Sequence, residues 1–303
     1  IAYADASSTP SFNGYAVVGT VSGTAISFGT PVAFETGDTA FHVGCTFDSN
    51  ENKVVIVYKD GDNSDYGTAI VGTVSGTAIS YGTPVVFESA STSFPTPTFD
   101  SDSNKVVIVY QDYPAGYYGT AVVGTVSGTS ISFGTPVVFN AAASEAFGAT
   151  FDSNSNKVVI SYEAVFAAAS TDKISASFDS DSNKVVIAYR DKDNSNYGTA
   201  IVGTVSGTSI SFGTEVVFEA AATLTPSATF DSGSNVVVIA YEDDDNSDYG
   251  TVIQGTVSGT SISFGSAAVF ESAATEFISA TFDSNSNKVA IAYQDEGNSD
   301  YGT

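Results

Sequence analysis

The chain repeats itself with a period of 52 residues, and this periodicity constrains its fold more than any other feature. The string GTVSGT occurs five times, beginning at residues 19, 72, 124, 203 and 255. A second marker, Phe-Asp-Ser, occurs six times and numbers the repeats 1 to 6: Phe47, Phe99, Phe151, Phe178, Phe230 and Phe282. Adjacent markers lie 52 residues apart except between repeats 3 and 4, where the step is 27. One repeat is therefore 25 residues short, since 52 minus 27 is 25.

A complete repeat predicts four antiparallel strands, A to D. In residues 97–139, strand A is TPTFD, strand B is the apolar run KVVIVY, strand C is GTAVVGTV and strand D is SISFGTPVVF. An unbroken apolar run is typical of a strand that is buried on both faces. Repeated Asp-Ser-x-x-Asn between A and B favours a hairpin turn, because Asp accepts backbone N–H groups and Asn tolerates positive φ. Four strands in a repeat of this length are typical of a β-propeller blade, whereas the competing β-solenoid has shorter coils.

The sequence thus predicts an all-β fold, a six-bladed β-propeller with four-stranded antiparallel blades. There are six A–B pairs and five C–D pairs, so the first C–D pair and the last A–B pair would share one blade and close the ring between the two chain ends. We predict a single domain over residues 1–303, with blades at approximately 41–87, 93–139, 145–166 (shortened), 172–218, 224–270, and 276–303 plus 1–35.

The shortened repeat predicts an interaction surface. The Tyr that ends strand B and the Phe that ends strand D are 29 residues apart in Tyr110 and Phe139, but 4 apart in Tyr162 and Phe166. The B–C loop, strand C and most of strand D are missing, so strand B loses a neighbour. We expect this edge to pair with a strand of another chain, or with residues missing from the printed sequence. The edge comprises Lys157, Val158, Val159, Ile160, Ser161 and Tyr162.

Charge and composition exclude several classes of function. The net charge of −25 opposes binding to nucleic acid and to anionic membranes, which depends on clustered Lys and Arg. No apolar run is long enough for a transmembrane helix, so membrane insertion is not expected. Such an excess of acid is better tolerated in salty water, which favours an extracellular, cell-surface or virion-surface location.

The B–C loops carry the strongest candidates for a metal site. DGDNSDYG at 60–67 and three related loops place carboxylates and amides at near-alternate positions, as calcium loops do. However, the distal Glu of a full calcium loop is absent, and Asx-rich turns also cap themselves without metal. The candidate calcium ligands are Asp60, Asp62, Asp65, Asp191, Asp193, Asp243, Asp245, Asp248, Asp295 and Asp300.

The same loops predict a ligand rim. In an antiparallel meander the B–C loops and the D–A connections lie on one face, where Asp, Asn and Tyr suit the hydroxyls and ring faces of glycans. Several weak sites of this kind would gain strength from avidity. The alternative is a solvated acidic rim that binds nothing. The candidate rim tyrosines are Tyr66, Tyr118, Tyr197 and Tyr249.

The sequence has too few Arg and His residues for several common catalytic sites. Arg190 is the only Arg and His42 the only His, so neither an arginine cluster nor a Ser-His-Asp triad is expected, and His42 is predicted to be structural. A carboxylate pair for glycoside hydrolysis stays open in so acidic a chain, but near-identical repeats argue against it. We predict no enzyme activity.

The near-identical units GTAIVGTVSGTSISFGT and FDSDSNKVVIAY resemble those of tandem-repeat β-propellers in secreted, cell-surface and virion-surface proteins, notably large marine bacterial and phage proteins. The resemblance implies a structural or adhesive role, with self-association or other surface or fibre subunits as partners, and it brings no catalytic residues. We therefore rank a non-catalytic structural or adhesive module of a virion or cell-surface fibre first. A lectin-like module that binds glycans through the B–C loops is the alternative, and a glycoside hydrolase is a distant third.

Overall fold

Antiparallel strands joined by short turns make up each described repeat, as the alternation of apolar runs and Asx-rich segments predicts. The computed structural model describes residues 1–5, 13–37, 40–145, 147–163, 170–298 and 301–303. It confirms the all-β class and the antiparallel strand order within a repeat. The chain separates into two units, residues 1–147 and 148–303. The six-bladed ring, its closure and the single domain stay predictions.

The first unit contains strands β1 to β14 among its described residues. They are β1 (Ala2–Asp5), β2 (Asn13–Ala16), β3 (Gly19–Ser22), β4 (Ala25–Phe28), β5 (Val32–Glu35), β6 (Ala40–Asp48), β7 (Lys53–Asp60), β8 (Tyr66–Ser75), β9 (Ala78–Tyr81), β10 (Val85–Asp100), β11 (Lys105–Asp112), β12 (Tyr118–Ser127), β13 (Ser130–Phe133) and β14 (Val137–Ala143).

The second unit contains strands β15 to β27 and two short 3-10 turns, Asp244–Asn246 and Glu296–Asn298. Its strands are β15 (Gly148–Asp152), β16 (Lys157–Ser161), β17 (Thr171–Asp179), β18 (Lys184–Asp191), β19 (Tyr197–Ser206), β20 (Ser209–Phe212), β21 (Val216–Asp231), β22 (Val236–Asp243), β23 (Tyr249–Ser258), β24 (Ser261–Phe264), β25 (Ala268–Asp283), β26 (Lys288–Asp295) and β27 (Tyr301–Gly302).

Strand B lies in the middle of each complete repeat, as its apolar sequence predicts. In repeat 2, Val107 of β11 is opposite Thr98 of strand A on one side and opposite Val123 of strand C on the other. Ile108 and Tyr110 of the same strand are completely buried. The core of each unit is therefore built on these B strands.

The A–B turns have the predicted Asx geometry. Asp48 Oδ1 accepts hydrogen bonds from the backbone N–H groups of Asn50 and Glu51, at 2.9 and 3.0 Å. Asn52 closes this turn with a φ of 55°. The same arrangement recurs in the other repeats, so the Asp-Ser-x-x-Asn motif is explained by the turn alone.

Strand D differs from the prediction. Its first half is a short strand, such as β9, whose partner is the far end of strand C. Its second half continues without a loop into strand A of the next repeat, giving 16-residue strands at Val85–Asp100, Val216–Asp231 and Ala268–Asp283. The predicted D–A loops do not exist at these three places, because the chain keeps its extended path while it changes partner from strand C to the next strand B.

A β-bulge interrupts strand A just after this change of partner. In repeat 1, Phe41 pairs with Lys59 and Gly44 with Val57, so that His42 and Val43 together oppose Tyr58. The register shifts in the same way in all five A–B pairs whose bulge is described. The first bulge residue has a positive φ each time: His42, Phe94, Lys173, Thr225 and Phe277.

The shortened repeat consists of the two-stranded sheet β15–β16. Within the described part of the chain, β16 pairs only with β15, in a register that sets Val159 against Thr150. Val159 and Ser161 are nevertheless buried, and Lys157, Val158, Ile160 and Tyr162 are half-buried. Val165 and Phe166 lie outside the described residues. Pairing of this edge with another chain stays a prediction.

Candidate functional site

The bulge places three variable positions at one end of each A–B pair, next to the B–C loop. They are the residue just before the bulge, the first bulge residue and the residue that follows the last Tyr of strand B, and we call them the rim positions. Cross-strand pairing joins the first and third of them: Phe41 with Lys59, Ser93 with Gln111, Asp172 with Arg190, Leu224 with Glu242, and Glu276 with Gln294. Repeats that otherwise share most of their residues thus present different chemistry here.

The bulge also carries backbone strain. Bulky residues rarely adopt positive φ, and each such residue costs on the order of 1–3 kcal/mol. Phe94 has a φ of 52° and Phe277 a φ of 50°, and 37% and 72% of their surfaces are exposed. Bulges with such outliers often redirect a side chain at a functional site. The strain therefore points to the rim positions as the functional end of each repeat.

In repeats 1 and 2 the rim positions build an aromatic surface. The rings of His42 and Phe94 stack with centroids 4.3 Å apart and planes inclined by 29°. The Phe94 N–H donates to His42 Nδ1 at 3.4 Å, and this contact suits a neutral imidazole. Burial, and then the charge of Lys59, lower the pKa of His42. His42 thus lies at the surface as part of an aromatic stack, and its structural role stays a prediction.

The B–C loop of repeat 2 extends this surface with two tyrosines. Tyr113 and Tyr117 meet edge to face with centroids 4.8 Å apart, and 37% and 47% of their surfaces are exposed. Ser93 Oγ donates to the Tyr113 hydroxyl at 3.3 Å. Gly116, with a φ of 95°, permits the turn that presents Tyr117.

A charged pair completes the surface. Lys59 Nζ lies 3.2 Å from Asp65 Oδ2 and 6.0 Å from the centre of the Tyr113 ring. We refer to His42, Lys59, Asp65, Ser93, Phe94, Tyr113 and Tyr117 together as the aromatic rim cluster. It offers exposed ring faces beside a cation, a carboxylate and hydroxyl groups.

In repeat 4 the rim positions form an ion pair. Arg190 Nε donates to Asp172 Oδ1 at 2.6 Å and its terminal nitrogen donates to Oδ2 at 2.5 Å. Lys192 Nζ approaches the same carboxylate at 3.2 Å and Glu163 at 3.3 Å. Burial alone would raise the pKa of Asp172, but the hydrogen bonds and charges of Arg190 and Lys192 outweigh it and lower that pKa.

In repeat 5 the third rim position is a buried acid. Only 6% of the Glu242 surface is exposed, and its carboxylate has no hydrogen bond or ion pair within the described chain. Burial raises the pKa of Glu242 to about 7, and the charges of Asp248, Glu276, Asp244 and Glu296 add to the effect.

Two of the predicted calcium ligands, Asp60 and Asp191, serve the turns that contain them. Asp60 Oδ1 accepts from the Asn63 N–H at 3.2 Å, and its Oδ2 accepts from the Thr68 hydroxyl at 3.4 Å. Asp191 Oδ1 accepts from two backbone N–H groups, at 3.1 Å each. Asp65 pairs with Lys59, whereas Asp62, Asp193 and Asp245 lie on exposed loops and Asp243, Asp248 and Asp295 are half-buried.

Calcium binding stays a prediction. Within the described ranges, no three His, Cys, Asp or Glu side chains come together as a set of metal ligands. Asp300 lies outside the described residues.

The predicted rim tyrosines occupy a different place from the exposed aromatic residues. Tyr66, Tyr118, Tyr197 and Tyr249 are half-buried and begin strand C, opposite the last Asp of strand B. Phe94, Tyr113 and Tyr117 were missed because the prediction was based on what the loops share. The signal that could have found them is the difference between repeats: DYPAGYY in repeat 2 replaces the more common Asp-Asn-Ser loop.

No family model matches this chain, and neither does any curated protein. No helix in the described residues is long and apolar enough to cross a membrane. A crystal structure of a triple arginine-to-alanine variant of AofleA from Arthrobotrys oligospora is similar at a TM-score of 0.49 and 9% identity, over 97% of this chain and 73% of that one. AofleA itself is similar at a TM-score of 0.47 and 13% identity, over 88% of this chain and 80% of that one. An exo-beta-1,3-galactanase from Phanerochaete chrysosporium with beta-1,3-galactotriose is similar at a TM-score of 0.44 and 8% identity, over 88% of this chain and 62% of that one. TM-scores below 0.5 assign neither a fold family nor a function.

Proposed function

We propose that the protein is a non-catalytic glycan-binding module that uses the aromatic rim cluster of repeats 1 and 2. The exposed stack of His42 on Phe94, beside Tyr113 and Tyr117, is the observation that carries the proposal. Ring faces suit the apolar faces of sugar rings, and nearby polar groups fix their orientation. The cluster supplies those groups in Lys59, Asp65 and Ser93.

The location of the cluster supports the same proposal. It lies where the repeats differ most in sequence and where the backbone is strained, although the rest of each repeat is nearly constant. Backbone strain lowers stability, so its presence at exposed, variable positions favours a role in binding over a role in folding. Glycan binding, ranked second on sequence alone, therefore takes first place.

The structural or adhesive role in a surface fibre is part of the proposal. Glycan binding would be the adhesive mechanism of such a module, and an extracellular setting is where it would act. Weak affinity at a single site would gain strength if several copies were held together.

A glycan array of neutral oligosaccharides tests the proposal, followed by calorimetric titration of the best ligand. We expect Phe94→Ala and Tyr117→Ala each to weaken binding about tenfold or more, since each removes an exposed ring from the contact surface. Phe47→Ala is the matched control: 53% of Phe47 is exposed, and it lies at the other end of strand A from the bulge. An array without any bound sugar would overturn the proposal, as would unchanged affinity in both rim variants.

A further inference from the structure

Glu242 is a largely buried residue whose carboxylate forms neither a hydrogen bond nor an ion pair with the described residues. It lies in strand β22 between Leu224 of β21 and Gly250 of β23, and neither neighbour can donate a side-chain hydrogen bond. Its surface is 6% exposed, and none of the described residues gives it a hydrogen bond or an ion pair. A buried ionised carboxylate is unfavourable unless a cation or donors compensate it.

The acidic groups near Glu242 disfavour its ionised form further. Asp244 and Asp248 lie on the adjoining B–C loop, Glu276 on strand A of repeat 6, and Glu296 on the loop of repeat 6, and all four act on Glu242 as like charges. Burial raises the pKa of Asp248, and the charge of Asp244 and then a hydrogen bond with it raise this pKa further. We call Glu242 and these four residues the acidic rim pocket.

Arg190, a positively charged side chain near the pocket, already forms an ion pair with Asp172. Arg190 on strand β18 interacts with Asp244 and Glu242, but its guanidinium group is held by both oxygens of Asp172. The pocket therefore retains an excess of negative charge.

This arrangement suits an ammonium group better than a metal ion. A divalent metal needs several oxygens converging at bonding distance, and the described residues contain no such set. An ammonium group is a compact charge with three N–H donors, which can reach acceptors spread over a wider pocket. Glu242 would be its buried counter-ion, and the outer carboxylates would attract it.

We propose that the acidic rim pocket binds the protonated primary amine of an amino sugar. The inference rests on the proposed function and specifies the ligand class of a second rim site. Glu242 occupies the same rim position in repeat 5 as Lys59 does in repeat 1, so the end of the repeat that carries the aromatic rim cluster carries this pocket too.

The test compares two disaccharides that differ only at the amine: a glucosamine disaccharide and its N-acetylated form. Calorimetry at about 0.15 M salt limits non-specific attraction between the ligand and the acidic protein. We expect the amine form to bind the wild-type protein at least tenfold more tightly than the acetylated form. Glu242→Gln should abolish this preference, whereas Asp181→Asn, an equal change of charge on an exposed A–B turn of the same unit, should retain it.

Proton release provides a second measurement. Because a bound ammonium group would lower the pKa of Glu242 from about 7, binding at pH 7 should release protons, seen as a dependence of the measured heat on the buffer. Glu242→Gln should bind without that release. Equal affinity for the two disaccharides, or a preference that survives in Glu242→Gln, would overturn the inference.

The two proposals can fail separately. If neutral glycans bind through Phe94 and Tyr117 but the amine adds nothing, this inference is wrong and the proposed function stands. If the array retains no neutral glycan while the amine preference depends on Glu242, the aromatic rim cluster is wrongly assigned and the pocket stands.

Discussion

Tyr110 donates its hydroxyl hydrogen to Oε2 of Glu88, 22 residues earlier in the chain, across 3.0 Å. The bond joins strand B of repeat 2 to the long strand that arrives from repeat 1. It recurs between Tyr58 and Glu35 at 3.3 Å, Tyr241 and Glu219 at 2.9 Å, and Tyr293 and Glu271 at 3.1 Å. This bond ties successive repeats together in both units.

We expect Tyr110→Phe to lower the free energy of unfolding by about 1–2 kcal/mol, because a hydrogen bond to a charged acceptor is lost within the core. Urea denaturation followed by far-UV circular dichroism measures the change. Tyr66→Phe is the control, since this half-buried Tyr makes no such bond in the described chain. Equal effects of the two substitutions would show that the Tyr–Glu bond does not stabilise the fold.

The same tyrosines predict the alkaline limit of stability. Burial and then a neighbouring carboxylate raise the pKa of Tyr110 above its usual value, and burial followed by Glu271 raises that of Tyr293 to about 12. A pKa that is higher in the folded state means stability that is complete below about pH 10 and is lost as the pH rises towards the folded value. Urea midpoints should therefore be flat from pH 8 to 9.5 and fall above about pH 10. Tyr110→Phe should make that fall shallower, and an unchanged slope would contradict this assignment.

The sequence was sufficient to predict strand B, the A–B turns and the strand order, because apolar runs and Asx motifs act locally. It was not sufficient to predict that strand D runs into strand A. The segment ESASTS between Phe87 and Phe94 has small polar residues that fit a loop as well as a strand, and only pairing with two different neighbours makes it a strand.

The bulge and the rim were harder to predict for a related reason. Positive φ is normally signalled by Gly or Asn, yet the first bulge residues include His42, Phe94 and Lys173. Because tertiary pairing imposes this conformation, residue type gives no warning of it. The aromatic rim cluster then combines residues from two repeats, whereas a repeat-by-repeat comparison considers each separately.

Repeat 4 contains an internal substitute for the Tyr–Glu bond. Ala167 stands in the sequence 22 residues before Tyr189, where repeats 2, 5 and 6 have Glu. Glu215 lies beside the Tyr189 hydroxyl instead and, after burial, is the main cause that raises its pKa. Other repeats have Pro84 or Pro136 at the Glu215 position.

We therefore expect Glu215 and Tyr189 to be energetically coupled by about 1 kcal/mol. A double-mutant cycle with Glu215→Ala and Tyr189→Phe, measured by urea denaturation, gives this coupling directly. Glu215→Ala should destabilise the wild-type protein but have little effect in the Tyr189→Phe background. Additive effects would mean that Glu215 does not replace the missing Glu.

A second link joins neighbouring A strands in the second unit. Ser175 Oγ accepts from the Ala228 N–H at 3.0 Å, and Ser227 Oγ accepts from the Ala280 N–H at 2.9 Å. Ser227→Ala should cost about 1–2 kcal/mol, because the Ala280 N–H loses its acceptor. Ser279→Ala, at the same position of repeat 6, should change stability by less than about 0.5 kcal/mol. Thermal and urea unfolding distinguish the two, and similar costs would argue against the link.

Strain at the bulge predicts that function and stability oppose each other there. The left-handed conformation costs most residues about 1–2 kcal/mol, whereas glycine adopts it freely and loses about 0.5–1 kcal/mol in chain entropy. Phe277 has a φ of 50° and 72% exposure, so Phe277→Gly should raise the free energy of unfolding by about 0.5–1 kcal/mol. Phe277→Ala should not stabilise the protein, because alanine keeps the strain. Phe94→Gly should likewise gain stability but lose glycan affinity, and a destabilised Phe94→Gly protein would show that the ring contributes to folding rather than to binding.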